Sequence, residues 1–316
     1  VLKDTEKLYL EAEKNFSNNE KLLIAGADLF KYLINQKKVT EILDKLIKNN
    51  SNSKIIRCNY AFNNNFLYSW KSKEYFEYAQ KFKNFFPKLK CKKISEINYN
   101  DNKKIKLGFV SGNLYNDHSV TYFLKNTFKY INKEKFEICI FSFGNNNNST
   151  IIDEIKNNND FNFDITNLDN QKVIDLIQNE KINILIDLFG VTSANRIEIF
   201  NNRVCPIQIS WMGYCNTIGF DTIDYILADK NLIREEEKKY YSEQILELPD
   251  LWNVHSGFNF ERNFNETPFI QKGYVTFGSF GNFRKISDET IEAWSEILNK
   301  VDNSRLLLKS SINYEN

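Results

Sequence analysis

The sequence predicts an α/β fold built on a parallel sheet. Short apolar runs rich in β-branched residues recur through the middle of the chain, each too short for a typical helix and typical of a strand buried on both faces. Segments of helical periodicity separate these runs, and strands that alternate with helices form a doubly wound sheet. The predicted strands are Ile105–Val110, Phe136–Phe143, Phe161–Ile165, Ile184–Leu188, Ile207–Trp211, Ile223–Ala228 and Gln244–Leu248.

Residues 1–98 are predicted to form a segment of four or five helices. Pro87 marks the end of the last helix, and a polar linker at residues 98–104 leads to the α/β domain, residues 104–255. No clean repeat of about 34 residues is visible, so a helical cap is as compatible with the pattern as a tetratricopeptide array. The apolar residues that recur at helical spacing are Val39, Ile42, Leu43, Leu46 and Ile47, then Tyr75, Ala79, Phe82 and Phe86.

Residues 272–316 are predicted to begin a second Rossmann-like domain. Strands at Tyr274–Phe280 and Arg305–Leu308 flank a helix with Ser287 as its N-cap. One such βαβ unit is too small to bury a core of its own. Because the chain also opens at Val1 rather than at a methionine, we expect it to be a piece of a longer protein.

Composition narrows the possible classes of function. The 316 residues are 42% apolar, which supports a sizeable core, and the net charge of +1 argues against nucleic acid or an anionic membrane as the main partner. No apolar run approaches ~18 residues and no signal-peptide pattern opens the chain, so the cytoplasm is the default location. The five cysteines show no C-x-x-C pair and the two histidines lie far apart, so we predict reduced thiols and no metal site.

Polar residues after the strand Ile184–Leu188 form the first candidate site. The carboxyl end of a parallel strand opens onto the crevice where ligands bind. A threonine hydroxyl and an arginine fork suit a sugar or a diphosphate. Arg196 is equally suited to a structural pair with Asp187 or Glu198. The residues expected at the rim are Thr192, Ser193, Asn195 and Arg196.

His118 is the main candidate for proton transfer. It follows the first predicted strand and precedes the apolar face of a helix, so it would face the same crevice. An imidazole accepts a proton near neutral pH. The alternative is a histidine at a helix start that bonds only the backbone. Asp187, inside an apolar strand, costs free energy unless it is bonded, and it is predicted to be structural.

Several motifs together resemble the family 41 glycosyltransferases, which include O-linked N-acetylglucosamine transferase and Spindly-like proteins. The strings DLFGVTSANR, PIQISWMGY and TIGFDTIDYILADK resemble the catalytic core of that family. HSVTYFL resembles its histidine-bearing first loop, and Phe280–Lys285 resembles the segment that carries its phosphate-binding lysine. The resemblance covers roughly residues 105–308, with the motifs in the family's order.

The resemblance implies a GT-B-type fold and an inverting protein glycosyltransferase without a cofactor, whose donor would be a nucleotide sugar such as a UDP-sugar. His118 would assist deprotonation of a Ser or Thr hydroxyl of a polypeptide acceptor, and Lys285 would stabilise the leaving diphosphate. Asn282 stands where the animal enzyme has a nucleotide-contacting glutamine. Tyr214 and Thr217 are predicted to belong to the scaffold, with some exposure on the acceptor side. The sequence has no D-x-D motif, which agrees with a metal-independent enzyme.

The sequence departs from the family at two places. Cys215 and Asn216 replace the Pro and Gly of the family's GYPGT string, and Val191 replaces a His or Tyr. Two other classes therefore stay open: a non-catalytic peptide-binding module with a degenerate transferase domain, and a different sugar-nucleotide enzyme on the same fold. Because most donor-binding residues of the family would lie beyond residue 316, the chain alone is expected to be inactive.

Overall fold

The β-branched apolar runs form strands, as predicted. The structure is a computed structural model that describes residues 2–49, 53–67, 69–101, 103–112, 114, 118–144, 150–192, 195–258 and 266–309. The strands are β1 (Ile105–Ser111), β2 (Phe136–Ser142), β3 (Phe161–Asp164), β4 (Ile184–Asp187), β5 (Ile207–Ser210), β6 (Tyr225–Ala228), β7 (Gln244–Glu247), β8 (Val275–Ser279) and β9 (Ser304–Leu308).

Along the chain, the helices precede, alternate with and follow these strands in the order that the periodicity predicts. Five of them precede β1 within the described residues, in agreement with the four or five expected. The helices are α1 (Leu2–Asn15), α2 (Glu20–Tyr32), α3 (Gln36–Lys48), α4 (Lys54–Asn64), α5 (Ser72–Phe82), α6 (Ser119–Tyr130), α7 (Thr150–Asn157), α8 (Asn170–Asn179), α9 (Ile197–Phe200), α10 (Pro268–Lys272) and α11 (Asp288–Lys300). Among them, no helix is long and apolar enough to cross a bilayer.

The chain divides into two units. The larger unit comprises residues 52–62 and 70–258, and the smaller comprises residues 1–51, 63–69 and 259–316. Part of the predicted helical segment therefore belongs to the unit that holds the sheet. Phe82, the last residue of α5, and Phe86, four residues later, pack against Phe220 of this unit with ring centroids 6.2 and 5.5 Å apart.

The larger unit contains a seven-stranded sheet in the order β3-β2-β1-β4-β5-β6-β7, and every neighbouring pair in it is parallel. Alternate residues of the central strands point to opposite faces, and both faces are buried. On one face, Phe141 and Leu185 pack with Ile177 of α8. On the other, the ring of Phe109 stands edge-on to that of Phe128 in α6, with centroids 4.9 Å apart. The predicted α/β class is confirmed.

The strand order reverses beside β1, between β1 and β4. Val110 of β1 lies opposite Asp187 of β4, which lies opposite Ser210 of β5. The carboxyl ends of these three strands thus meet at one edge of the sheet. In open α/β sheets, ligands bind in the crevice at such a reversal.

The smaller unit combines helices α1, α2 and α3 with the βαβ segment near residue 300. β8 and β9 pair in parallel and α11 connects them. Ser287 is the N-cap of α11, as predicted, and its Oγ accepts a hydrogen bond from the Thr290 N–H at 3.3 Å. The starts of α1 and α3, residues 2 and 36, are 34 positions apart, as are those of α2 and α4, residues 20 and 54. This spacing equals the tetratricopeptide period.

The loops after β4 and β5 approach each other so closely that glycine is required. A Cβ atom on Gly213 would lie 1.9 Å from the carbonyl oxygen of Leu188, and one on Gly190, where φ is +56°, would lie 2.3 Å from Cβ of Tyr214. Neither position has room for a side chain, because real Cβ atoms do not approach other atoms this closely.

Gly213→Ala is expected to lower the free energy of unfolding by at least about 2 kcal/mol, because backbone must move to admit the methyl group. Urea denaturation measures the change. Gly281→Ala is the matched control, since a methyl group there would lie 4.0 Å from Oγ of Ser279 and meet nothing closer. Equal effects of the two substitutions would contradict the close approach of the two loops.

Candidate active site

The candidate site of the larger unit is the carboxyl edge of β1, β4 and β5. His118 comes from the β1 to α6 connection, Thr192, Asn195 and Arg196 from the connection after β4, and Tyr214 and Thr217 from the turn after β5. The strand pairing therefore brings together connections that lie up to about a hundred positions apart in sequence. Ser193 lies outside the described residues.

His118 is the N-cap of α6 and lies partly exposed at the helix start. The Val120 N–H donates to its Nδ1 at 3.3 Å, and the His118 N–H donates to Oγ1 of Thr121 at 3.2 Å. Partial burial lowers the pKa of the imidazole, so the neutral ring is favoured at neutral pH. A neutral imidazole carries one proton, and because Nδ1 accepts from the backbone, that proton lies on Nε2.

Asp187, at the end of β4, fixes the backbone that follows it. Its carboxylate is buried and accepts from the N–H groups of Phe189 at 3.0 Å and Gly190 at 2.8 Å. Burial raises the pKa of this carboxyl to about 6, although the two N–H groups favour the charged form. The geometry supports the structural role predicted for Asp187.

Thr192 and Asn195 hydrogen-bond within the loop after β4. Oγ1 of Thr192 donates to the carbonyl of Phe189 at 2.8 Å, and Nδ2 of Asn195 donates to the carbonyl of Thr192 at 2.7 Å. Both side chains are partly exposed. They shape the rim, and contact with a sugar or diphosphate stays a prediction for both.

Arg196 binds backbone carbonyls. Its guanidinium donates to the carbonyls of Ile165 at 2.9 Å and Leu168 at 2.7 Å, and it lies 5.2 Å from the ring centre of Phe143. Burial lowers its pKa. These bonds support the structural alternative, with the loop after β3 as the hydrogen-bonding partner. The charge of Glu198 also acts on the guanidinium, and contact of Arg196 with a sugar or diphosphate stays a prediction.

The turn after β5 is held by Glu243, a residue that sequence reasoning missed. Its buried carboxylate accepts from Oγ1 of Thr217 at 2.6 Å and from the Ile218 N–H at 2.8 Å. Thr217 is itself buried and its hydroxyl supports the turn, and contact of Thr217 with an acceptor stays a prediction. Tyr214 is also buried. In the sequence, Glu243 is a single acidic residue before the short strand β7, and nothing in that pattern indicates this role.

Two of the residues that depart from the family motif, Cys215 and Val191, are held by a hydrogen bond and by core packing, respectively. The Tyr241 hydroxyl donates to the carbonyl of Cys215 at 3.0 Å, which ties the altered turn to the segment before β7. Val191 is 3% exposed and belongs to the core cluster on one face of the sheet. The replacement of the family's His or Tyr by Val191 therefore alters packing in the core of the sheet.

Lys285 and Asn282 lie in the smaller unit, in and beside a 3-10 turn at Phe283–Lys285. Oδ1 of Asn282 accepts from the Arg284 N–H at 2.9 Å, so Asn282 caps this turn. Both side chains are exposed. The predicted contacts of Lys285 and Asn282 with a nucleotide stay predictions.

No cluster of three or more His, Cys, Asp or Glu side chains suited to a metal ion occurs in the part of the chain that the structure describes. Metal independence stays a prediction.

Comparison with known proteins identifies the family. The profile of glycosyl transferase family 41 matches residues 85–266, which is more than half of the chain. The chain belongs to glycosyl transferase family 41. The family 41 match includes the whole seven-stranded sheet and every candidate residue of its carboxyl edge. It ends before Asn282 and Lys285, so their assignment rests on the resemblance of residues 280–285.

Curated relatives of family 41 extend well beyond this chain. The SPINDLY protein of Petunia hybrida, described as a probable UDP-N-acetylglucosamine–peptide N-acetylglucosaminyltransferase, is 30% identical over 210 residues, 66% of this chain and 22% of that protein. The SPINDLY protein of Arabidopsis thaliana, described in the same words, is also 30% identical over 210 residues, 66% of this chain and 23% of that protein. This chain therefore spans about a fifth of the length of these relatives.

A solved structure shares the fold. A mutant O-GlcNAc transferase of Thermobaculum terrenum superposes with a TM-score of 0.82 at 18% identity, covering 96% of this chain and 57% of that one. At this identity the likeness concerns the fold alone. The α/β architecture of this family 41 chain is consistent with the predicted GT-B type.

Asp187→Asn tests the buried carboxyl after β4. Burial raises the pKa of Asp187 from 3.8 in the unfolded chain to about 6 in the folded protein, so the folded state binds the proton more tightly. The protonated carboxyl therefore contributes stability below the unfolded pKa, and this contribution is lost as pH rises through the folded pKa. The stability of the wild type relative to the variant should therefore fall between about pH 4 and about pH 6, by up to about 3 kcal/mol. Thermal unfolding across that range measures it. Asp250→Asn, at an exposed site, is the control, and a relative stability that rises with pH would refute the assignment.

Proposed function

We propose that the protein is an inverting glycosyltransferase that moves a sugar, N-acetylglucosamine or a related one, from a UDP-sugar or similar nucleotide sugar to Ser or Thr hydroxyls of polypeptides. Membership of glycosyl transferase family 41 carries the proposal, and the descriptions of the relatives support the polypeptide acceptor. The carboxyl edge of β1, β4 and β5 supports it further, because it presents His118 and a polar rim where this class of fold binds ligands. The tetratricopeptide nature of the helices and a cytoplasmic location stay predictions.

The proposed reaction is a single displacement. The acceptor oxygen forms a bond to the anomeric carbon, the bond from that carbon to the diphosphate breaks, and the hydroxyl proton passes to solvent water or to an oxygen of the departing diphosphate. Negative charge grows on the departing diphosphate, and the exposed ammonium of Lys285 is the group suited to stabilise it. The lysine ammonium is a compact charge on a flexible stem, so it can approach the phosphate oxygens in more than one geometry.

The geometry of His118 favours a hydrogen-bond donor over the predicted general base. A base needs an unprotonated nitrogen that faces the acceptor hydroxyl. Nδ1 is already bonded to the Val120 N–H, so the proton of the neutral ring lies on Nε2. Acting as a base at Nε2 would require the other tautomer and the loss of that bond. We therefore propose that Nε2–H donates to an oxygen of the bound substrate.

A second candidate function is a non-catalytic peptide-binding module. The replacement of Pro and Gly by Cys215 and Asn216 favours it, because the turn that borders the acceptor in family 41 is altered. The hydrogen bond from Tyr241 to the carbonyl of Cys215 weighs against degeneration, since the altered turn is specifically held.

Transfer is tested by intact-mass analysis of host proteins and peptides after incubation with the intact gene product and a panel of UDP- and GDP-sugars. A hexose, deoxyhexose or N-acetylhexosamine shift is expected and would name the donor. Lys285→Ala should lower kcat by about 100-fold or more, because a preorganised positive charge is lost. Lys272→Ala, at an exposed lysine of the same unit, should leave kcat unchanged. Peptide binding without transfer from any donor would establish the non-catalytic module.

Two substitutions at His118 separate a donor from a base. Gln keeps a distal N–H that donates but takes no proton, whereas Asn keeps the helix-capping oxygen and lacks the distal N–H. If Nε2–H donates, His118→Gln retains transfer within about tenfold and His118→Asn loses about 100-fold. Loss of transfer in both variants to the same level, by about 100-fold or more, would restore the general-base role.

A further inference from the structure

Arg284, the residue before Lys285, is anchored to the helical part of the smaller unit. Its Nε donates to Oε1 of Gln36 at 3.1 Å and its Nη2 donates to Oδ1 of Asn63 at 2.8 Å. The guanidinium also lies 4.0 Å from the ring centre of Phe66. Two hydrogen bonds from a rigid fork and one stacked ring fix both the position and the plane of this side chain.

The two acceptors are held by bonds of their own. Nε2 of Gln36 donates to the carbonyl of Asn63 at 3.1 Å, and Nδ2 of Asn63 donates to Oγ1 of Thr40 at 3.2 Å. The Thr40 hydroxyl donates to the carbonyl of Gln36 at 3.1 Å, which closes the network. Asn63 is 1% exposed. A satisfied buried network of this kind is rigid, so it gives Arg284 a fixed support.

All of these partners of Arg284 are uncharged. Burial lowers the pKa of the guanidinium, but an arginine stays protonated at neutral pH. A partly buried cation usually has a carboxylate partner, because an unpaired charge is costly away from water. Here neutral oxygens and a ring hold the cation, so its charge adds to that of the neighbouring Lys285.

The backbone of Lys285 is fixed from the other side by the 3-10 turn. The Lys285 N–H donates to the carbonyl of Asn282 at 2.9 Å, and the Ile286 N–H donates to that of Phe283 at 3.0 Å. The side chain of Lys285 is nevertheless exposed. The turn thus holds the backbone of Lys285 while its ammonium group faces solvent.

We propose that Arg284 is a positioning residue for Lys285, and that Gln36 and Asn63 are part of the support of the diphosphate site. The proposal rests on the proposed role of Lys285. A displacement of about 1 Å in a group that acts on a reacting centre is enough to cost about 100-fold in rate. The helical segment would then contribute to donor binding through residues 248 and 221 positions away from Arg284 in sequence.

Binding of UDP, with GDP in parallel, to the intact gene product gives the first test, by isothermal titration calorimetry. Arg284→Met should raise Kd by about tenfold, since the anchor is lost, and Gln36→Met should raise it by about threefold, since one of two bonds is lost. Arg305→Met is the matched control, because Arg305 lies 4.0 Å from the ring centre of Tyr274 in the same unit. A Kd unchanged in Arg284→Met, or raised equally in Arg305→Met, would overturn the proposal.

A double-mutant cycle separates positioning from a general loss of structure. If Arg284 acts through Lys285, Arg284→Met should add less than twofold to the Kd of Lys285→Met, because the group to be positioned is already gone. An unreduced tenfold effect in the Lys285→Met background would overturn the proposal.

Amide hydrogen exchange gives a readout that needs no ligand. In Arg284→Met, the amides of Lys285 and Ile286 should exchange at least about tenfold faster, because the 3-10 turn opens more often. Arg305→Met should leave these two amides protected. Unchanged protection in Arg284→Met would overturn the proposal. If the wild type binds neither nucleotide, the proposed role of Lys285 fails, while the exchange still decides whether Arg284 holds the turn.

Discussion

The pairing of β1 with β4 determines where chemistry is possible in the larger unit. β1 lies between β2 and β4, so the chain crosses from one side of the sheet to the other after β3. Because all seven strands described in this sheet are parallel, their carboxyl ends share one edge, and the reversal leaves a crevice there. Val110, Asp187 and Ser210 lie side by side at that edge. The connection that carries His118 begins at the same place.

This edge is held by close approaches of the backbone and by one buried carboxylate. Gly190 and Gly213 permit approaches that any Cβ would block, and the carboxylate of Asp187 binds two successive N–H groups. The nearby polar side chains are therefore used inside the loops. Thr192 and Arg196 donate to carbonyls of the protein, and such bonds compete with contacts to a substrate. Some of the polar side chains that the sequence suggested for ligand binding thus fix the loops at this edge of the sheet.

Local patterns predicted the elements well, whereas distant partners could not be predicted. The β-branched runs gave every strand of the sheet within a few residues, and Ser287 followed by acidic residues gave the N-cap of α11. The carbonyl acceptors of Arg196 have no sequence pattern, because every residue has a carbonyl. Arg284 and Gln36 are 248 positions apart, and Thr217 and Glu243 meet only after two strands have paired. A single sequence contains no sign of such tertiary contacts.

The arginines and the lysine of the candidate sites differ in what their side chains contact. Arg196 and Arg284 each bind two or more uncharged oxygens and lie against an aromatic ring, which suits a planar guanidinium with five donors. Their hydrogen bonds link a loop and a turn to other segments of the chain. Lys285 has a compact, hydrated charge and an exposed side chain, which suits the proposed contact with a departing diphosphate. A lysine could replace neither arginine, because a single ammonium group cannot bridge two acceptors in one plane.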